Sequence, residues 1–370
     1  MRVLINAYSA RLGGGQTYLI NLLRRLPDTQ SLELLVYAPA CLELPNDARI
    51  TRLSSTWPTT NPIARALWER LVLPRVLRER KVDVLFCPGG VIATLVPQGC
   101  RTVTMFRNMI PFDMRARRAL PYGPQRMRNW LLERVMLKSM ANADLVIFIS
   151  EFARNVIVSR ISVRASSTIP HGVPEAFKTA DQVLERPEFL PDGDYVLYVS
   201  RFDVYKHHFE VVSAYARLPE ALRRRYRLLL IGESNMPEAQ RVRDLVARTG
   251  LGDQVVILGA VKYALLPAVY RHSALTLFAS SCENCPNILL EALGAGRPVL
   301  SSSVDPMPEF AGDAARYFDP RKPDEIAAAM QEVLQTSALA AELGRKAAER
   351  SRRYDWSKTA EATWQRILSL

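Results

Sequence analysis

At 370 residues the chain is too long for one ordinary core and suits two domains, and its 48% apolar and 23% charged residues are the balance of a globular protein. Five cysteines (Cys41, Cys87, Cys100, Cys282, Cys285) in a chain of this size do not make a disulfide framework, and the longest apolar runs, such as residues 145–149, are far too short to span a membrane. The net charge of +12 belongs wholly to the first half: residues 1–175 hold 24 Lys and Arg against 12 Asp and Glu, whereas residues 176–370 hold 25 of each. That asymmetry points to a polyanionic partner for one domain: an anionic membrane, a nucleic acid or a diphosphate-bearing acceptor.

The chain opens on a strand-like run, residues 2–6, which leaves no room for a signal peptide and suggests a cytoplasmic protein. A glycine loop follows, then a helix from about Gln16 to Leu26. Apolar runs at 32–38, 82–86, 102–106 and 145–149 read as buried strands, with helical stretches at 62–80 and 124–142, and 166–173 adds a short strand and a turn. The stretch 175–194, with its prolines and mixed charge, reads as a linker. The alternation then restarts, with strands at 195–200, 226–232, 255–258, 274–280 and 298–302. Helices are expected near 206–218, 237–249, 263–271, 287–295, 323–335 and 338–353. The pattern is α/β: two doubly wound, Rossmann-like halves with parallel sheets, bounded at 1–175 and 176–353. Residues 354–370 form a last helix, carrying Trp356 and Trp364, that packs back on the first domain. Ligands of such halves bind in a crevice at the carboxyl ends of the strands.

Gly13, Gly14 and Gly15 let the backbone approach a ligand closely, and free N–H groups at the helix start favour phosphate oxygens. A dinucleotide fingerprint would need G-x-G-x-x-G and an acid ending the second strand. Here Gln16-Thr17-Tyr18 follow and that strand ends in Tyr37-Ala38-Pro39, which argues against NAD or FAD.

In the second half, Arg201 and Lys206 stand where the first strand ends, an arginine fork and a compact charge suited to phosphate. The most informative stretch is residues 283–300. Glu283 precedes a helix that starts near Pro286, and Glu291 lies within it, about two turns on at roughly 3.6 residues per turn. The N–H groups of Asn287 and Ile288 are candidates to face an anion. Glu291 sits in the apolar run Ile288, Leu289, Leu290, Leu293, and a carboxylate kept in such surroundings normally has a partner.

At these residues, and across essentially its whole length, the chain resembles glycosyltransferase family 4, the group-1 glycosyltransferases of the GT-B fold. The family's E-x7-E element matches Glu283 to Glu291, its Arg and Lys match Arg201 and Lys206, its glycine loop matches Gly13 to Gly15, and its turn before the linker matches His171-Gly172-Val173. The resemblance implies two Rossmann-like domains facing a central cleft. It also implies a retaining enzyme that uses a nucleotide diphosphate sugar without a cofactor or catalytic metal. Arg201 and Lys206 would stabilise the departing diphosphate, Glu291 would bind ribose, and Glu283 would bind sugar hydroxyls beside Asn284 and Cys285. The expected acceptor is a cell-envelope glycan, often lipid-linked, reached at the cytoplasmic face of the inner membrane. Two departures stand out. Glu283-Asn284-Cys285-Pro286 replaces the common Glu-Gly-Phe-Gly, which implies altered sugar contacts. Arg107-Asn108 replaces a His-Asp or His-Asn pair; arginine cannot act as a base at neutral pH, so these two residues are expected to contact donor sugar or acceptor instead.

Other readings are an epimerase of the same architecture, a sugar phosphorylase, for which no phosphate or cofactor site is found, and a non-catalytic nucleotide-sugar-binding protein. Cys282-x-x-Cys285 lacks the four ligands of a structural zinc site. The stretch 115–138, with Arg115, Arg117, Arg118, Arg126, Arg128, Arg134, Lys138 and Trp130, suits an anionic membrane surface, although its apolar residues fall nearly all round a helical wheel. Nucleic acid is disfavoured, because no recognised binding module accompanies the charge.

Overall fold

The computed structural model describes residues 1–11, 13–29, 31–119 and 123–370, with the side chains of 116, 118 and 119 outside the description; Arg118 of the basic stretch is among these. The chain divides into two compact units, one made of residues 1–171 and 356–370, the other of residues 172–355.

The first unit is built on seven strands: β1 (Arg2–Asn6), β2 (Glu33–Tyr37), β3 (Ile50–Leu53), β4 (Val84–Cys87), β5 (Arg101–Phe106), β6 (Leu145–Phe148) and β7 (Ser166–Thr168). They pair in parallel in the order β3-β2-β1-β4-β5-β6-β7. Near-continuous apolar strands such as β1 and β4 are buried on both faces, as parallel strands under helices must be. The order reverses between β1 and β4, and loops leaving the carboxyl ends of strands around that switch point form the natural binding edge.

The second unit repeats the scheme with β8 (Asp194–Val199), β9 (Tyr226–Ile231), β10 (Val255–Gly259), β11 (Leu275–Phe278), β12 (Val299–Ser302) and β13 (Arg316–Phe318). All pairs are parallel in the order β10-β9-β8-β11-β12-β13, with the switch between β8 and β11. Gly232 allows the tight turn after β9: its φ is 155°, and a Cβ there would meet the Ser200 carbonyl oxygen at 1.9 Å.

Helix Trp356–Leu368 belongs to the first unit. It buries Trp356, Ala360, Trp364 and Ile367 along one face, and Trp364 Nε1 donates to the Leu22 carbonyl at 3.2 Å.

Three expectations need correction. The unit boundaries fall at 171/172 and 355/356, because the Val173 amide donates to the Tyr354 carbonyl at 3.1 Å and Lys178 bridges to Asp355 at 3.0 Å, tying both crossings into the second unit. The supposed linker is anchored: Phe177 is buried and the Thr179 amide donates to Gly294 at 3.1 Å. The helical stretch 62–80 is two helices, Pro62–Leu71 and Leu73–Glu79, with Pro74 in the first turn of the second.

Candidate active site

In the second unit the loops leaving β8 and β11, adjacent across the switch point, are fastened together. The Ser281 amide donates to the Tyr205 carbonyl at 2.8 Å, and the His207 Nε2 and Ser281 hydroxyl pair at 2.8 Å. His207 holds the left-handed conformation, φ 54°, between the short turn Val204–Lys206 and helix His208–Ala216. The result is a direct ion pair between Lys206 and Glu283. Lys206 is only 7% exposed, and its ammonium lies 5.3 Å and 5.4 Å from the ring centroids of Phe278 and Tyr205. Two residues on, His208 is fully buried and stacked on Phe202 at 4.0 Å and Tyr198 at 4.6 Å. Burial, with the Lys206 charge second, pulls the imidazole down to about 3. A neutral ring, not a second cation, therefore sits beside the lysine's backbone.

Glu291 lies in helix Asn287–Gly294, which follows β11, and is 7% exposed. Burial pushes its carboxyl up to about 7, opposed by the Tyr263 hydroxyl, which donates to Oε1 at 2.7 Å. Tyr263 in turn packs on Phe177 with ring centroids 5.1 Å apart. Arg201 stands on the exposed side of the β8 loop, 3.7 Å from Asp203 and 3.4 Å from the Glu233 carboxylate, with Met236 against its guanidinium. The structure thus joins Lys206 to Glu283 directly and holds Glu291 on the helix after the same loop, while Arg201 is engaged with surface acids. Asn284 and Cys285 are buried in that loop, and Asn287 and Ile288 are half-buried at the helix start. The Asn287 amide, expected to face an anion, donates instead to the Cys285 carbonyl at 3.0 Å. The turn at Pro286 folds that N–H back onto its own loop. Among the described residues no cluster of three or more His, Cys, Asp or Glu side chains is arranged to hold a metal.

In the first unit, Gly13 at φ 59° caps helix Gly14–Leu23. The Arg107 guanidinium, from the loop after β5, lies over the glycine loop: a Cβ on Gly15 would be 3.2 Å from it. Arg107 also lies 5.8 Å from the Tyr18 ring centroid. Asn108 is exposed and accepts from the Ile110 amide at 3.3 Å. His171, expected among the substrate-binding residues, is 2% exposed and stacks on Trp356 at 5.3 Å and Tyr18 at 5.5 Å, so its ring packs the returning helix.

Four residues at these edges carry no motif: Tyr263, His207, Ser281 and Glu69. Glu69 is buried, accepts from Asn6 Nδ2 at 3.0 Å at the end of β1, and is pushed up by burial. Its signal was available, an acid beside Trp68 on the inward face of a helix, the same kind of signal that marks Glu291.

Comparison with known proteins accords with this geometry. Residues 12–177 match the Glycosyltransferase Family 4 model and residues 181–350 match the Glycosyl transferases group 1 model. The chain is 25% identical over 268 residues to the serotype-specific mannosyltransferase WbdA of Escherichia coli, an alignment covering 70% of this chain and 32% of that protein. It is 26% identical over 239 residues to the O-antigen chain mannosyltransferase B of Escherichia coli, covering 63% and 62%. The chain thus spans about a third of the first relative and less than two thirds of the second. The structure of Anabaena HepE in complex with UDP and glucose superposes over 100% of both chains with a TM-score of 0.75 at 17% identity. With two parallel Rossmann-like sheets, the fold is GT-B, and the chain belongs to the group-1 glycosyltransferases of family 4.

Proposed function

We propose that this glycosyltransferase is a retaining, metal-independent hexosyltransferase that moves a sugar from a nucleoside diphosphate to a lipid-linked cell-envelope glycan at an anionic membrane surface. The observation that carries the donor reading is the pairing of buried Lys206 with half-buried Glu283, with Glu291 on the helix that follows. A desolvated cation is worth far more against a departing diphosphate than a surface one, because charge grows on that group as the glycosidic bond breaks. Lys206 supplies that cation. Arg201 adds a second by leaving Asp203 and Glu233, an exchange that costs little because exposed ion pairs are weak. With two cations available, the chemistry needs no metal to neutralise the leaving group. Glu291 accepts from ribose hydroxyls and Glu283 from those of the sugar, while the acceptor attacks the face the diphosphate leaves. No nucleophilic carboxylate is required, unlike the paired-acid scheme of retaining glycosidases. Arg107, over the glycine loop, is suited to donor-sugar or acceptor contact and not to proton removal. The mannosyltransferase relatives support a hexose and a cell-envelope acceptor, and the UDP and glucose in HepE support a nucleoside diphosphate donor.

A panel of GDP-, UDP- and dTDP-sugars with a lipid-linked acceptor tests the reading. Diphosphate release that depends on acceptor is expected. Sugar conversion without acceptor would make it an epimerase, and binding without turnover a non-catalytic protein.

A further inference from the structure

The first unit leaves large apolar side chains in water at regular spacing on two helices. On helix Pro62–Leu71, Ile63, Leu67 and Leu71 are 73%, 50% and 64% exposed. They recur every four residues, so they form one stripe. On helix Pro124–Asn142 the exposed face carries Met127, Trp130, Leu131 and Val135, interleaved with exposed Arg128, Arg134 and Lys138. The inward face of that helix is partly polar, with Asn129 and Ser139 buried, which is why apolar residues surround the wheel without marking one face.

The helices follow β3 and β5, and both crossovers step the same way through the sheet order. Right-handed connections therefore put them on the same sheet face. They are neighbours there: Arg70 of the first and Val135 and Lys138 of the second line one groove of about 900 Å³ together with exposed Leu95 from the β4–β5 loop. Each helix has a single acid, and both acids point inward. Glu69 is buried against Asn6, and Glu133 is taken by Arg117 at 2.6 Å and Arg160 at 2.7 Å. The charges on the outward face are thus cations alone, beside its apolar groups, and the Arg134 guanidinium rests 3.7 Å from the Trp130 ring centroid.

We infer that this two-helix face docks on an anionic lipid bilayer. The inference rests on the membrane reading proposed above and is independent of the donor chemistry. Aliphatic and indole groups suit the boundary between headgroups and acyl chains, while guanidinium and ammonium groups at the same level meet lipid phosphates. The charge complementarity favours acidic lipid over a second copy, because two such faces would oppose cation to cation. No described helix is long and apolar enough to cross a membrane, so contact is peripheral. Ile63 and Met127 occupy the first turns of their helices, the end of the unit where the β-strands finish and the glycine loop lies. A lipid-borne acceptor resting on this face is held at that end.

The test is sedimentation of the full chain with vesicles of phosphatidylcholine, with and without about 30% phosphatidylglycerol, a fraction that gives an acidic surface. Binding to acidic vesicles and not to neutral ones is expected, with a blue shift in emission that Trp130→Phe removes. The double substitutions Leu67→Ser with Leu71→Ser, and Leu131→Ser with Val135→Ser, each lower the partition coefficient by about tenfold or more. Arg128→Ala with Lys138→Ala lowers it by a similar factor at low salt. Val183→Ser with Phe189→Ser, exposed apolar residues of the second unit, leaves it unchanged. Circular dichroism checks that each variant is folded. All are expected to keep activity on a water-soluble acceptor, and the first three pairs to lose it on a vesicle-borne one. Parent-like binding by those three pairs, binding indifferent to acidic lipid, or self-association that they abolish without any vesicle binding would overturn the inference.

Discussion

Replacing Glu291 by Gln is expected to make the donor-free protein more stable at alkaline pH, by an amount that follows from burial. Burial pushes the carboxyl from its ordinary 4.5 up to about 7, against the hydrogen bond from Tyr263. In the unfolded chain the group ionises near 4.5, so from there to about pH 7 the folded protein holds a proton that the unfolded chain has lost. This contribution to stability is complete below about 4.5 and is lost as pH rises through 7, at about 1.4 kcal/mol per pH unit. By about pH 8 the loss is roughly 3 kcal/mol. Glutamine escapes it, having no charge to desolvate and a carbonyl that still accepts from Tyr263. At about 2–4 °C per kcal/mol, the Gln variant melts roughly 6–12 °C above the parent at about pH 8, and about 2–3 °C above it at about pH 5. Differential scanning calorimetry across that range reads the difference. A gap that stays constant with pH would mean that Glu291 is ionised and compensated in the folded chain, and the desolvation argument would be wrong.

Tyr263→Phe removes a hydrogen bond that favours the ionised form of Glu291, so the carboxyl climbs further and donor KM rises about three- to tenfold near pH 6.5, converging with the parent in alkali. A KM profile that does not move with pH would detach Tyr263 from donor binding. Lys206→Ala strips a half-buried Glu283 of its cation and is expected to cost roughly 2–5 kcal/mol in kcat/KM together with nucleoside diphosphate affinity. Glu283→Gln keeps that affinity, read by titration calorimetry, and loses turnover; the opposite pattern would exchange the two roles. Gly15→Ala puts a methyl 3.2 Å from the Arg107 guanidinium and displaces it, so it should act in the same direction as Arg107→Ala. The double variant should show a coupling of about 0.5–3 kcal/mol, and simple additivity would mean that the glycine serves only the turn.

Strands buried on both faces are legible because burial forces an unbroken apolar run, as in β1, β4 and β8. The two that escape notice are edge strands. β3 is Ile-Thr-Arg-Leu with its middle residues exposed, and β13 is three residues long. Helix Glu151–Val158 is hidden for another reason: it begins directly after the apolar run of β6, and its start is marked only by the Ser150 side chain accepting from the Ala153 amide. Within the site, Glu291 is legible because an acid among leucines needs a physical excuse. Tyr263 is not, since it meets Glu291 across 28 residues of chain and nothing in its own segment distinguishes it from a surface tyrosine. Arg201 shows the converse. Its position in the motif is plain, but its engagement with Glu233 depends on β9 ending beside β8, which only the sheet order reveals.

The two cations of the proposed donor site are therefore not equivalent. Lys206 is buried beside aromatic rings and held by Glu283, so its ammonium is already in place before any donor arrives. A diphosphate, with more charge than one carboxylate, can take Lys206 over and release Glu283 toward the sugar hydroxyls that the acid is proposed to read. His208 stays neutral, so it adds no second cation to repel the lysine. Arg201 is solvated, exchanges partners cheaply and is screened by salt. Most of the leaving-group stabilisation must then come from Lys206, with Arg201 contributing to capture, and the order of importance follows from burial and not from the greater hydrogen-bonding capacity of a guanidinium.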